Sequence, residues 1–121
     1  MFPIYDHKIK TSAQYKFVYN GQKIYTNNFN IFFRNNNQNQ PYFGISVSKK
    51  VGNSVIRHQI KRWIFENLKI HGPEYPSNYN VVFMVKKTLQ EKNFINIGQD
   101  IKNGHQLMKK ILNKEKNHNI I

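Results

Sequence analysis

The chain has 121 residues, with nineteen Lys and Arg against six Asp and Glu, and a formal net charge of +13. Such a balance points to a polyanionic partner. It also narrows the alternatives: no apolar run approaches the roughly 20 residues a membrane-spanning helix needs, and with no cysteine there is neither a disulfide nor a thiolate metal site. The start, MFPIYDHKIK, lacks the charged and then apolar pattern of a secretory leader. No linker rich in Pro, Gly and Ser divides the sequence, so one domain over residues 1–121 is expected, acting in the cytoplasm on nucleic acid.

Taken in chain order, TSAQYKFVYN places Thr11 as N-cap with Gln14 three residues on and Gly21 as a stop, which predicts a helix over 12–20. Tyr15 and Tyr19 share one face of it. In IYTNNFNIFFR the alternation of Tyr25, Phe29, Ile31 and Phe33 predicts a strand, and in YFGISVSKK that of Phe43, Ile45 and Val47 predicts a second. Residues 35–40, NNNQNQ, followed by Pro41, read as a solvated hairpin loop that joins these strands as antiparallel neighbours.

A helix is expected from Asn53. At about 100° per residue it gathers Ile56, Ile60, Trp63 and Ile64 on one arc and Arg57, His58, Lys61 and Arg62 on the opposite one. Phe65 falls within the basic arc, where it suits either base stacking or the covering of a neighbouring segment. Pro73 and Pro76 then mark a loop, and YNVVFMVKK, apolar on both faces, reads as a central strand. Thr88 and Glu91 form a capping-box pattern ahead of Phe94, Ile97, Ile101, Met108 and Ile111 at helical spacing. Gly98 and Gly104 weaken that helix, and NKEKNHNII is expected to fray. The fold class is α+β.

The stretch FGISVSKKVGNSVIRHQIKRWIFE, over roughly residues 42–66, resembles the signature segment of the bacterial ribonuclease P protein subunit. That family shows Phe-Gly-x-Ser-Val-Ser-Lys-Lys followed by Val-Gly-Asn-Ala-Val-x-Arg-Asn-Arg-x-Lys-Arg. The chain departs from it where Arg57-His58-Gln59 replaces Arg-Asn-Arg, and where Phe65 stands in place of a frequent Arg before Glu66. The resemblance implies a single-domain α/β sandwich, ordered helix, three strands, helix, strand, helix, with a left-handed βαβ crossover against the usual right-handed rule.

It further implies an endoribonuclease holoenzyme in which a catalytic RNA with bound Mg²⁺ removes the 5′ leader of precursor tRNA. This chain would then contribute no catalytic residue and no metal ligand, and would need no obligate protein partner. Carried over, Gly52, Asn53, Arg57, Lys61 and Arg62 match the family's RNA-binding motif, with Lys49, Lys50, His58 and Phe65 alongside. Tyr15, Tyr19 and Phe33 stand where the family places aromatics facing the leader, core packing being the plain alternative for each. Two rival classes carry different expectations. A self-sufficient nuclease needs carboxylates or histidines to converge, yet both types are scattered along this chain. A ribosomal or general single-strand RNA binder would use the basic helix and exposed aromatics without a leader cleft; a ribosomal protein should copurify with rRNA, a ribonuclease P subunit with one structured catalytic RNA.

Overall fold

The structure is a computed structural model that describes residues 2–87 and 93–118. After a 3-10 turn, Ile4–His7, come α1 (Ser12–Tyr19), β1 (Gln22–Tyr25), β2 (Phe29–Asn35), β3 (Tyr42–Ser46), α2 (Ser54–His71), β4 (Tyr79–Val85) and α3 (Phe94–His118). The predicted first helix forms with its capping box complete. The Thr11 hydroxyl accepts from the Gln14 N–H at 3.1 Å, and the Gln14 carboxamide oxygen accepts from the Thr11 N–H at 3.0 Å.

The single strand expected through IYTNNFNIFFR is two. Asn27 and Asn28 turn the chain, and β1 pairs antiparallel with β2 in the register Ile24↔Ile31. The turn is held from outside itself: Asp100, buried on α3, accepts from the Thr26 hydroxyl at 2.6 Å and the Asn28 N–H at 2.8 Å, while Lys86 donates to the Thr26 carbonyl at 2.6 Å. Local propensity marks a break here, and the long-range carboxylate makes it a tight one.

The sheet order is β1-β2-β4-β3. β4 is therefore central, antiparallel to β2 and parallel to β3, so the amide loop does not close a hairpin between neighbouring strands. It passes the end of β4, where the Asn36 side chain donates to the Gln40 carbonyl at 3.0 Å and to the Asn80 carboxamide at 2.8 Å. The reason lies in β4 itself: Val81, Val82 and Phe83 are all fully buried, and a strand apolar on both faces is best stabilised with a hydrogen-bonded neighbour on each side.

Strand alternation divides two cores. Phe29, Ile31, Phe33, Phe43, Ile45, Val81 and Phe83 join Ile60, Ile64 and Leu68 of α2 and Ile97, Ile101 and Met108 of α3 in the larger one. The opposite face carries a small cluster of Ile9, Val18 and Val82, edged by Tyr15, Tyr19, Phe32 and Tyr42. Because α1 is only eight residues long, it leaves much of that face uncovered.

α3 begins where the Asn93 side chain accepts from the Asn96 N–H at 2.9 Å; the Thr88–Glu91 capping pattern lies outside the described residues. The two glycines in this helix sit at close approaches, Gly98 against the Asn67 carboxamide and Gly104 against Ile31, so their propensity cost is offset by the packing they permit. The helix continues to His118, beyond the point where fraying was expected.

Candidate nucleic-acid interface

α2 follows a tight turn in which the Val51 N–H donates to the Ser48 carbonyl at 3.1 Å and the Val51 side chain is buried, leaving Lys49 and Lys50 exposed. Gly52 does not adopt a left-handed conformation. Its role is steric, since a Cβ there would stand 2.8 Å from Ile56 Cγ2. Asn53 is the N-cap as expected, its Oδ1 accepting from the Ile56 N–H at 3.0 Å. Beyond it His58, Lys61 and Arg62 are exposed. Arg57 is half-buried, and its Nε finds no hydrogen-bond partner among the described residues. The opposite side of the helix buries Ile60, Ile64, Asn67 and Leu68.

Phe65 does not stand free within the basic arc. It is half-buried against the core, and the Lys8 ammonium sits 4.1 Å from its ring centroid. The residue thus covers a neighbouring segment and returns one cation to the place where the sequence lacks one. Beside it Lys69 bonds Glu66 at 2.9 Å, and that hydrogen bond raises the Lys69 pKa.

The second surface lies on the sheet face under α1. The Tyr15 hydroxyl accepts from the Ile45 N–H at 3.2 Å and donates to the Ile45 carbonyl at 3.4 Å, which satisfies backbone groups of the edge strand β3. Its ring lies directly on Gly44, where a Cβ would come within 2.7 Å of Tyr15 Cε1. Burial raises the Tyr15 pKa. Tyr19 follows with ring centroids 6.2 Å apart, and Phe32 meets Tyr19 edge-on at 4.9 Å. Both tyrosines are half-buried, packing one part of the ring on the sheet while lining a cavity of about 540 Å³ with Lys10, Thr11, Lys16 and Ser46.

Phe33 is not part of this surface. It is fully buried on the other sheet face beside Ile31 and Phe29, paired across the sheet with Val81. Strand period two puts its neighbour Phe32 on the α1 side instead, and Phe32 is the residue that sequence reasoning missed. The adjacent FF pair signals that one ring goes to each face, but not which face is the open one.

A second cavity, of about 430 Å³, shares Ser46 with the first and is lined by Asn30, Ser48, Lys50, Lys86 and Lys87. The two make one groove whose walls, among the described residues, carry lysines and no carboxylate. Its far end reaches the turn that leads into α2, so the groove and the cationic helix meet at Ser48–Lys50. Sequence reasoning found Lys49 and Lys50 but missed Lys86 and Lys87. Parallel pairing of β3 with β4, Ser46 opposite Met84, is what sets both lysine pairs at the same end of the sheet.

Fold and surfaces together define a small, basic α+β RNA-binding protein. The ribonuclease P family model matches residues 5–111, and the ribonuclease P protein component of Clostridium kluyveri is 35% identical over 100 residues, covering 80% of this chain and 89% of that one. The chain belongs to the ribonuclease P protein family: it is the protein subunit of that tRNA-processing endoribonuclease. The component from Clostridium novyi is 33% identical over 101 residues, covering 81% of this chain and 89% of its own. A solved structure of the Staphylococcus aureus RNase P protein superposes with TM-score 0.77 at 28% identity, covering 85% of this chain and 95% of that one. The Thermotoga maritima protein shares the fold, with TM-score 0.74 at 20% identity over 81% of this chain and 94% of its own.

Proposed function

We propose that α2 binds the catalytic RNA of the holoenzyme while the groove beneath α1 receives the 5′ leader of precursor tRNA, the hydrolysis being performed by the RNA. The observation that carries this reading is the lysine-lined groove, walled by Tyr15 and Tyr19 with Phe32 packed edge-on against Tyr19, that ends at the turn leading into the cationic helix. A single strand laid there stacks bases on aromatic rings, at about 1–3 kcal/mol per base regardless of sequence, and sets its phosphates against lysines. That tolerance suits an enzyme that must accept many different leaders. By neutralising phosphates on both RNAs, the protein raises substrate affinity and lowers the Mg²⁺ concentration required.

Mg²⁺ belongs, in this reading, mainly to phosphates of the RNA and the substrate. Among the described residues no three His, Asp or Glu side chains gather to hold an ion. Also among the described residues, no helix is long and apolar enough to cross a membrane, and we place the reaction in the cytoplasm, where precursor tRNA is processed.

The decisive test is cleavage of a precursor tRNA at low Mg²⁺ by the protein alone, by the cognate RNA alone and by the two combined. Stimulation only in the mixture is expected. Cleavage by the protein alone would overturn the assignment of chemistry to RNA.

A further inference from the structure

The Ile4–His7 turn is pinned at both ends: the Phe2 N–H donates to the Lys69 carbonyl at 3.4 Å, and the Ile9 N–H to the Phe43 carbonyl at 2.8 Å. Within it Ile4 is fully buried, yet Tyr5 is 61% exposed. The Lys8 ammonium lies 4.5 Å from the Tyr5 ring centroid and 4.1 Å from that of Phe65, and Lys69 stands 5.2 Å from Tyr5. Of the nearby carboxylates, Glu66 is bonded to Lys69, and Asp6 is exposed to solvent next to Tyr5 in the chain.

The position of this cluster matters more than its charge. His58, Arg62, Phe65 and Lys69 recur every three or four residues and form one stripe along α2, which ends at Lys8 and Tyr5. Two residues after Lys8, Lys10 lines the groove beneath α1. An RNA strand passing between the two surfaces on this side therefore crosses Tyr5 and Lys8.

We propose that Tyr5 and Lys8 form a further nucleotide-binding site, with an unstacked RNA base lying on the Tyr5 ring and its phosphate against Lys8 and Lys69. The inference rests on the reading of α2 and the groove as RNA surfaces. An aromatic left largely in water beside fixed cations offers a base a sequence-indifferent surface. Lys8 is held in advance between two rings, so less ordering remains to be done when a phosphate arrives. Partial burial and the nearby charges of Lys10 and Lys69 lower the Lys8 pKa, a repulsion that an incoming phosphate relieves.

The test measures two affinities, that of the protein for the catalytic RNA and that of the reconstituted holoenzyme for precursor tRNA, using wild type, Tyr5→Ala, Tyr5→Phe and Lys8→Ala. Tyr5→Ala is expected to weaken one of the two complexes by about 5- to 150-fold, the range that stacking one base spans. Tyr5→Phe should retain affinity, since the ring and not the hydroxyl does the stacking. Lys8→Ala should weaken the same complex with a shallower salt dependence. The complex that weakens tells which RNA supplies the nucleotide. Equal losses for Tyr5→Phe and Tyr5→Ala, or affinities within about twofold of wild type for Tyr5→Ala and Lys8→Ala, would overturn the site. A parallel Lys61→Ala/Arg62→Ala variant separates the two readings: if it weakens assembly while Tyr5→Ala and Lys8→Ala weaken neither complex, only the Tyr5 site fails, and if none of these variants weakens either complex, the assignment of α2 fails as well. Thermal melts confirm that each variant folds.

Discussion

At the residue scale, Phe32 and Phe33 are chemically identical neighbours with opposite duties. Phe33→Ala empties a fully buried site and is expected to cost about 3–5 kcal/mol of stability, read by denaturant titration. Phe32→Ala should instead weaken the binding of leader-bearing precursor tRNA by up to about 1–3 kcal/mol, with little effect on mature tRNA. A Phe33→Ala variant that kept its stability and bound the leader poorly would reverse this assignment. Gly44 is a positioning residue of the same kind. Alanine there presses on the Tyr15 ring at 2.7 Å, so Gly44→Ala should cost about 1–3 kcal/mol of stability and lower leader affinity without changing assembly with the catalytic RNA.

His105 supplies a pH prediction. It is buried within 3.5 Å of Glu74, and desolvation first, then the charge of Lys109, hold its pKa below the ordinary 6.5. Between the lowered folded value and 6.5 the unfolded chain binds more protons, so the contribution to stability is full above 6.5 and is lost as pH falls through that window. Melting temperatures at about pH 5 and about pH 7.5, on either side of the ordinary histidine range, should therefore differ less in His105→Gln than in the wild type.

At the scale of elements, α2 works because its two faces obey different demands. Apolar residues at helical spacing bury one side, while the other keeps Lys61 and Arg62 in water and free for phosphate. Replacing both by alanine should reduce the salt slope of assembly by between about 0.7 and 0.9 for each phosphate the variant no longer neutralises, measured by titration across a range of salt concentrations. An unchanged slope would show that these side chains do not reach the RNA. The helix starts where it does because Asn53 caps it, and its register is legible in VGNSVIRHQIKRW without reference to any distant segment. The same holds for α1, whose capping box is written in Thr11 and Gln14. Strands are less legible: the Asn27-Asn28 break shows in sequence only as two polar residues, and the carboxylate that tightens it comes from Asp100, far along the chain.

At the scale of the whole molecule, function follows from sheet order. With β3 and β4 adjacent and parallel, the basic ends of both strands lie together, so Lys50 from one and Lys86 and Lys87 from the other close the same end of the groove. Lys86→Ala with Lys87→Ala should weaken holoenzyme binding of leader-bearing precursor tRNA at moderate salt and spare mature tRNA. Equal losses for both ligands would place these lysines outside the leader path.

The sequence by itself determined what depends on neighbours along the chain: the polyanion partner from charge, two helices from their caps, the amphipathic cationic face from its period, and the family from residues 42–66. Only the tertiary structure decided that β4 separates β2 from β3, that Phe32 rather than Phe33 lies on the α1 side of the sheet, and that Phe65 carries Lys8. Periodicity says which residues share a face. Which face is covered is set by the burial of distant segments against one another, and here a short α1 leaves one side of the sheet open while α2 and α3 close the other.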